Sequence, residues 1–205
     1  NEDKEKVFEK IYNKGYNGVF FDVIEDSDGN LIAVGSFESS EEDHLEGNRV
    51  RLIVKYDKDG NLLYENTYSV LDNSKFTSID LVEDGYVVCG QSVYDNMVVG
   101  LSKDGGSIIV KYDEELNVEW TNNYGDNKSS SYNDILVYDN YIYAVGVTDS
   151  VVGIVSKYDF DGNVINTVRY ENTDNLGFTG IVLFDEHLLV SGAILDSDKN
   201  SDGLL

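Results

Sequence analysis

The chain has 205 residues, 41% of them apolar, with 15 Tyr, 8 Phe, 19 Gly and no Pro, enough to bury a core and too aromatic for a disordered polymer. Its formal net charge of −24, from 39 acids against 15 bases, repels phosphate backbones and anionic head groups and so disfavours nucleic acid and membrane surfaces as partners. One cysteine, Cys89, excludes an intramolecular disulfide and a cysteine-rich zinc site, and no apolar run approaches the ~20 residues of a membrane span.

Taken in chain order, the sequence opens on NEDKEK without Met or a visible signal peptide, which reads as a mature or trimmed segment. Residues 5–12 (EKVFEKIY) read as a lone strand ending in Tyr12. FFDVIE, NLIAVGSF, VRLIVKYD and NLLYENTY follow as four short strands, alternating or continuously apolar, with D-G or G-N turns. No segment shows sustained helical periodicity.

The same four-strand phrase is then repeated. Tyr12, Tyr68, Tyr124 and Tyr170 are each followed eight residues later by an aromatic: Phe20, Phe76, Tyr132 and Phe178. Two residues further on stand Asp22, Ser78, Asp134 and Gly180. Fourteen residues after the aromatic comes Gly90, Gly146 or Gly192; in the first copy the step is fifteen, to Gly35. From Lys55, Lys111 and Lys157 of the K-Y-D phrase to the next marker tyrosine the spacing is 13 each time, whereas the glycine-to-lysine step varies as 20, 21 and 11.

Four strands per roughly 45–55 residues predict an all-β fold, a β-propeller of four-stranded antiparallel blades in one domain spanning 1–205. The blades fall at about 19–68, 76–124, 132–170 and 178–205, the last completed by strand 5–12, so that four blades close a ring. The alternative is an arc of a larger propeller. Closure would remove free sheet edges and leave the chain a monomer. Phe8, Tyr64 and Trp120, four residues before the marker tyrosines, are expected to pack between sheets.

The stretch IVKYDKDGNLLYENTY resembles a calcium loop at Asp57, Asp59 and Asn61, but the homologous turn in the second copy is DEELN, without the second Asp or the Gly. A hairpin with glycine at a positive-φ position accounts for every copy. No cofactor is called for; calcium at the acidic loops is the candidate metal.

The phrase I-V-K-Y-D-x-x-G-N-x-x-W-x-x-x-Y, followed by a strand and a G-Y-x-x-x-G hairpin, resembles the SBBP-like propeller repeats of secreted bacterial proteins over essentially the whole chain. Trp stands only at Trp120, and the glycine after the marker tyrosine only at Gly125. The resemblance implies an extracellular or cell-surface bacterial protein without catalytic residues.

The loops joining strands two and three carry the length variation: 36–50 and 91–107 are long, and the third is short. Variable loops on a regular scaffold are where binding concentrates. The expected role is a non-catalytic binding or scaffold module for a protein or glycan, through Glu41, Asp43, His44 and Arg49 of one loop and Tyr94, Asp95 and Asn96 of the other. Two other readings stand beside it: a glycan hydrolase using Asp22 and Asp134 near the channel, and a purely structural spacer. No Ser-His-Asp set, phosphate loop or H-E-x-x-H occurs.

Overall fold

The computed structural model describes residues 9–68, 74–92, 106–124, 130–149, 151–171, 175–195 and 201–205. The first sheet contains β1 (Tyr16–Glu25), β2 (Leu31–Glu38), β3 (Val50–Tyr56) and β4 (Leu62–Tyr68), with the short helix α1 (Glu41–Glu46) between β2 and β3. The second contains β5 (Lys75–Val82), β6 (Gly85–Ser92), β7 (Gly106–Tyr112) and β8 (Val118–Tyr124). The third contains β9 (Ser131–Tyr138), β10 (Tyr141–Thr148), β11 (Val152–Tyr158) and β12 (Val164–Tyr170). The fourth has three strands, β13 (Asn175–Phe184), β14 (His187–Leu195) and β15 (Ser201–Leu204). Every sheet is an antiparallel meander in chain order, and each packs face to face on the next. No helix among the described residues is long and apolar enough to cross a membrane.

The middle strands are apolar nearly throughout because their sheets are covered on both faces: β2, β3, β6 and β7 are buried along almost their whole length. The core therefore lies between sheets. Ile32, Val34 and Ile53 meet Phe76, Ile79 and Tyr86 across the first junction. Val87, Cys89 and Ile109 meet Tyr132, Ile135 and Ile142 across the second, and Val145 meets Leu176, Phe178 and Ile181 across the third. Each such large side chain contributes about 1.5–3 kcal/mol when fully buried. Trp120 packs as expected and donates its indole N–H to the Phe160 carbonyl. Tyr64 is instead substantially exposed, and Phe8 lies outside the described residues.

The repeating glycine has a backbone cause. Each first strand carries a bulge just after the repeating aromatic, with Phe21, Thr77, Asn133 or Thr179 as the extra residue. The bulge brings the first strand's backbone over the second strand, opposite Gly35, Gly90, Gly146 and Gly192. A Cβ at Gly90 would stand 2.1 Å from the Lys75 carbonyl oxygen, and at Gly35 it would stand 1.9 Å from that of Val19.

The apparent calcium turns are closed internally. Asp57 Oδ1 accepts the N–H groups of Asp59 and Asn61, and Oδ2 accepts the Asn61 side-chain amide at 2.8 Å. Asp26 with Asn30, Asp113 with Asn117 and Asp159 with Asn163 repeat this arrangement. In the second copy Leu116 takes the glycine's place at φ 62°. Its side chain is buried against the first junction, which offsets a left-handed strain of roughly 1–2 kcal/mol. Bonds from the asparagines hold Asp57 and Asp159 below the usual carboxylate range. Burial pushes Asp26 and Asp113 up, but hydrogen bonds outweigh it, from Asn30, Lys55 and Tyr86 at Asp26 and from Asn117 and the Glu115 N–H at Asp113, and both also end below that range.

Closure by residues 5–12 is not seen among the described residues. Residues 9–12 lie in no strand, and residues 5–8 are outside the described set. Tyr12 packs edge-on against Phe20 and Phe37 of the first sheet. The fourth sheet ends at β15, and among the described residues it shares no packed junction with the first sheet.

Two outcomes follow. Gly90→Ala should lower stability in urea by about 3 kcal/mol, since backbone rather than a movable side chain blocks the new methyl. Gly47→Ala, at φ 72° with open space around it, should cost only about 1–2 kcal/mol; equal losses would refute the bulge explanation. The depressed turn carboxylates contribute stability that is present above the unfolded pKa near ~4 and lost as pH falls through their lower folded values. Urea midpoints should therefore drop progressively below pH about 4, and a midpoint unchanged from pH 5 to pH 3 would contradict the clamp.

Candidate functional site

Two groups of polar side chains require a role: acids where the first strands converge, and a cluster on the face carrying the strand-two-to-three loops.

In the first group, Asp22 Oδ1 accepts the Val23 N–H, and Oδ2 accepts the Ile79 N–H at 3.0 Å and the Ser78 hydroxyl at 2.8 Å. Asp134 accepts the N–H groups of Ile135 and Ile181 at 2.9 and 2.8 Å and also approaches Ser78 Oγ at 2.7 Å. The serine has one proton and serves one carboxylate at a time. Both acids thus reach from their own blade to the next blade's backbone. The bulge residues do the same: Thr77 donates to the Tyr132 carbonyl and Asn133 to the Phe178 carbonyl. Asp80 accepts the Val137 N–H at 2.6 Å. Its burial raises the carboxyl pKa, and the nearby Asp134 and Asp22 charges add to the rise. These acids fasten blade to blade.

The second group is built by loop 36–50. Ser40 caps α1 by accepting the Asp43 N–H, and Gly47 ends the helix in the left-handed conformation. One turn of helix carries His44 back over the end of β2, where its Nδ1 lies 2.7 Å from Glu38 Oε2. The Asn17 amide nitrogen also lies 3.1 Å from Nδ1; the carboxylate only accepts, so the bond to Glu38 is made when Nδ1 carries a proton. Glu38 is only 4% exposed. It also accepts the Asn17 amide at 2.9 Å and faces Arg49 at 3.8 Å, while Arg49 donates to Ser36 Oγ. The exposed Tyr16 ring stacks on the imidazole, with centroids 5.2 Å apart and planes 14° from parallel.

Of the residues expected from sequence, His44 and Arg49 therefore meet at Glu38. Asp43 faces α1's own start, where hydroxyl bonds from Ser39 and Ser40 hold it below the usual carboxylate range. Glu41 is exposed in the first helical turn. Tyr94, Asp95 and Asn96 lie outside the described residues. Tyr16 and Asn17 are additions from the structure. Asn17 sits at φ 45°, and the β1–β2 pairing shifts register between Tyr16 and Val19; that irregularity turns its amide toward Glu38.

No family model matches the chain, and no curated protein matches it. Solved structures do. A protein of unknown function from Bacteroides caccae aligns over 99% of this chain and 66% of its own, at 12% identity and a TM-score of 0.58. A catalytically inactive virginiamycin B lyase from Staphylococcus aureus, solved with quinupristin, aligns over 95% of this chain and 58% of its own, at 11% identity and a TM-score of 0.55. An endo-arabinanase from Bacillus licheniformis aligns at a TM-score of only 0.30, too loose to use. The chain spans just under two-thirds or less of the first two, and the likeness carries fold alone: a β-propeller-like arrangement of antiparallel sheets.

The axial acids give a direct test. Asp134→Asn should destabilise by about 1–3 kcal/mol, because one acceptor oxygen serving Ser78, Ile135 or Ile181 becomes a donor. Asp80→Asn also turns one of two oxygens that accept the Leu81 and Val137 N–H groups into a donor. It removes a buried charge near Asp22 and Asp134, however, so urea denaturation at pH 7 should show a smaller loss. The reverse order would refute these roles.

Proposed function

We propose that the chain is a non-catalytic binding module of a bacterial extracellular or surface protein, recognising a glycan or peptide through the face that bears α1. The observation that carries this is the Tyr16–His44 stack: an exposed aromatic pair whose imidazole is anchored on a nearly buried Glu38. Burying a carboxylate costs free energy unless it is paired, and here its partners are the groups that set the exposed ring. An anchored aromatic pair with polar imidazole and phenol groups suits a partner with both an apolar patch and hydroxyl or amide groups. The SBBP-like repeat pattern supports the location, and the length variation of the same-face loops supports the choice of face. Asp22 and Asp134 each accept bonds from their own blade and the next, a geometry that favours fastening over hydrolysis.

Glycan and peptide arrays probed with the chain and with Tyr16→Ala and His44→Ala should show at least tenfold weaker binding of the variants, about 1.4 kcal/mol. The melting temperature of Tyr16→Ala should be nearly unchanged, because Tyr16 lies at the end of β1, whereas His44→Ala should lower it by removing a partner of the buried Glu38. Binding that survives both substitutions would place recognition elsewhere on the chain, and no binding to either array would leave the spacer reading.

A further inference from the structure

Of all the asparagines in the chain, Asn17 alone is followed by glycine. Every other one precedes a residue with a Cβ, which crowds the backbone nitrogen nearest the side-chain amide. The pair sits where β1 is irregular. Tyr16 is opposite Glu38 and Val19 is opposite Ser36, and Asn17 and Gly18 between them have no partner in the register. Both are exposed, and Asn17 is held at φ 45°. Packing does not require glycine at 18. Its φ lies outside the left-handed range, and an added Cβ would come no nearer than 3.7 Å to Phe37 Cβ and 3.9 Å to the Tyr12 carbonyl oxygen. At Gly15, by contrast, a Cβ would stand 2.4 Å from the Glu38 carbonyl oxygen. The bare backbone at Gly18 therefore matters for the reactivity of its neighbour rather than for the fold.

We propose that Asn17–Gly18 is a site of self-modification in the folded protein, where Asn17 loses ammonia and becomes an aspartyl or isoaspartyl residue. The Gly18 nitrogen attacks Asn17 Cγ, and the new N–Cγ bond forms as the Cγ–Nδ2 bond breaks. The Gly18 N–H proton passes to solvent, and Nδ2 takes up a proton and departs as ammonia. Water then opens the cyclic imide at either carbonyl, so an amide becomes an acid with water as the only other reactant. His44 Nδ1 lies 3.1 Å from Nδ2, beside the leaving nitrogen.

The change falls on the anchor of the Tyr16–His44 stack. Glu38, almost fully buried, loses the amide donor at 2.9 Å and meets a second carboxylate in its place, a like charge beside a desolvated one. In the isoaspartyl form the main chain between Tyr16 and Val19 is also longer by a carbon, which shifts the Tyr16 ring relative to the imidazole it now stacks on. The modification dismantles the exposed pair with time, whatever that pair binds.

The test is peptide mapping by mass spectrometry of the folded 205-residue chain, sampled over days in warm, mildly alkaline buffer. The peptide carrying Asn17 should convert ahead of every other asparagine peptide, yielding aspartyl and isoaspartyl products together. Gly18→Ala should slow the conversion by roughly tenfold or more, because the new methyl crowds the attacking nitrogen, and it should leave the melting temperature unchanged. Aged wild-type protein and fresh Asn17→Asp should both melt below fresh wild type. In both, the His44 ring signals should move as the Tyr16 ring current is lost. An Asn17 that stays intact in the folded chain and converts only in urea would overturn the proposal, as would equal rates in wild type and Gly18→Ala. Conversion that leaves melting and the His44 signals untouched would overturn its effect on the anchor.

Discussion

The rest of the molecule hangs on a single backbone irregularity, the bulge in the first strand of every sheet. It presses the strand so close to its neighbour that only glycine fits opposite. It also re-aims the next side chains sideways, out of their own sheet and into the following one. In the second and third sheets the extra residue reaches a carbonyl of the next first strand; Asp22 and Asp134 reach an N–H. Hydrophobic burial between the sheets is non-directional and would tolerate sliding. Directional bonds of this kind fix where one blade sits on the next, because each satisfies a backbone group that would otherwise be buried unpaired.

A second repeated device handles the outer turns. An aspartate folds its carboxylate over the turn it begins and is gripped by an asparagine four residues on. This is an Asx turn with an added clamp, and it uses both oxygens that a calcium ion would need. It also explains why a chain without proline can make so many tight reversals, and why the acid content serves structure as well as solubility. The Leu116 turn shows that the clamp, rather than glycine, is the constant: a buried leucine side chain holds the left-handed residue where the others use Gly60 and Gly162.

Against that regular scaffold the α1 loop is the exception. Its insertion brings a histidine back over a carboxylate that β2 has already buried, and an irregular start to β1 supplies an asparagine and a tyrosine to the same spot. Regular elements place the anchor and irregular ones place the exposed groups, which is the division of labour expected of binding surfaces on rigid folds.

The repeat, the four short strands in each copy, their antiparallel order and the turn chemistry were legible in the sequence, because they rest on local periodicity and on residues a few positions apart. His44 and Arg49 were legible as loop residues worth attention, and Asp22 and Asp134 as equivalents facing inward. Their partners were not. Tyr16 and Asn17 join Glu38 and His44 only because a register shift turns their side chains, and no spacing rule encodes that. Nor does linear sequence tell whether a row of blades closes, since closure depends on the angle accumulated between packed sheets rather than on any one sheet's pattern. The amino-acid order by itself determined what a blade is. Tertiary packing decided how one blade seats on the next, through side chains that reach a neighbouring blade's backbone.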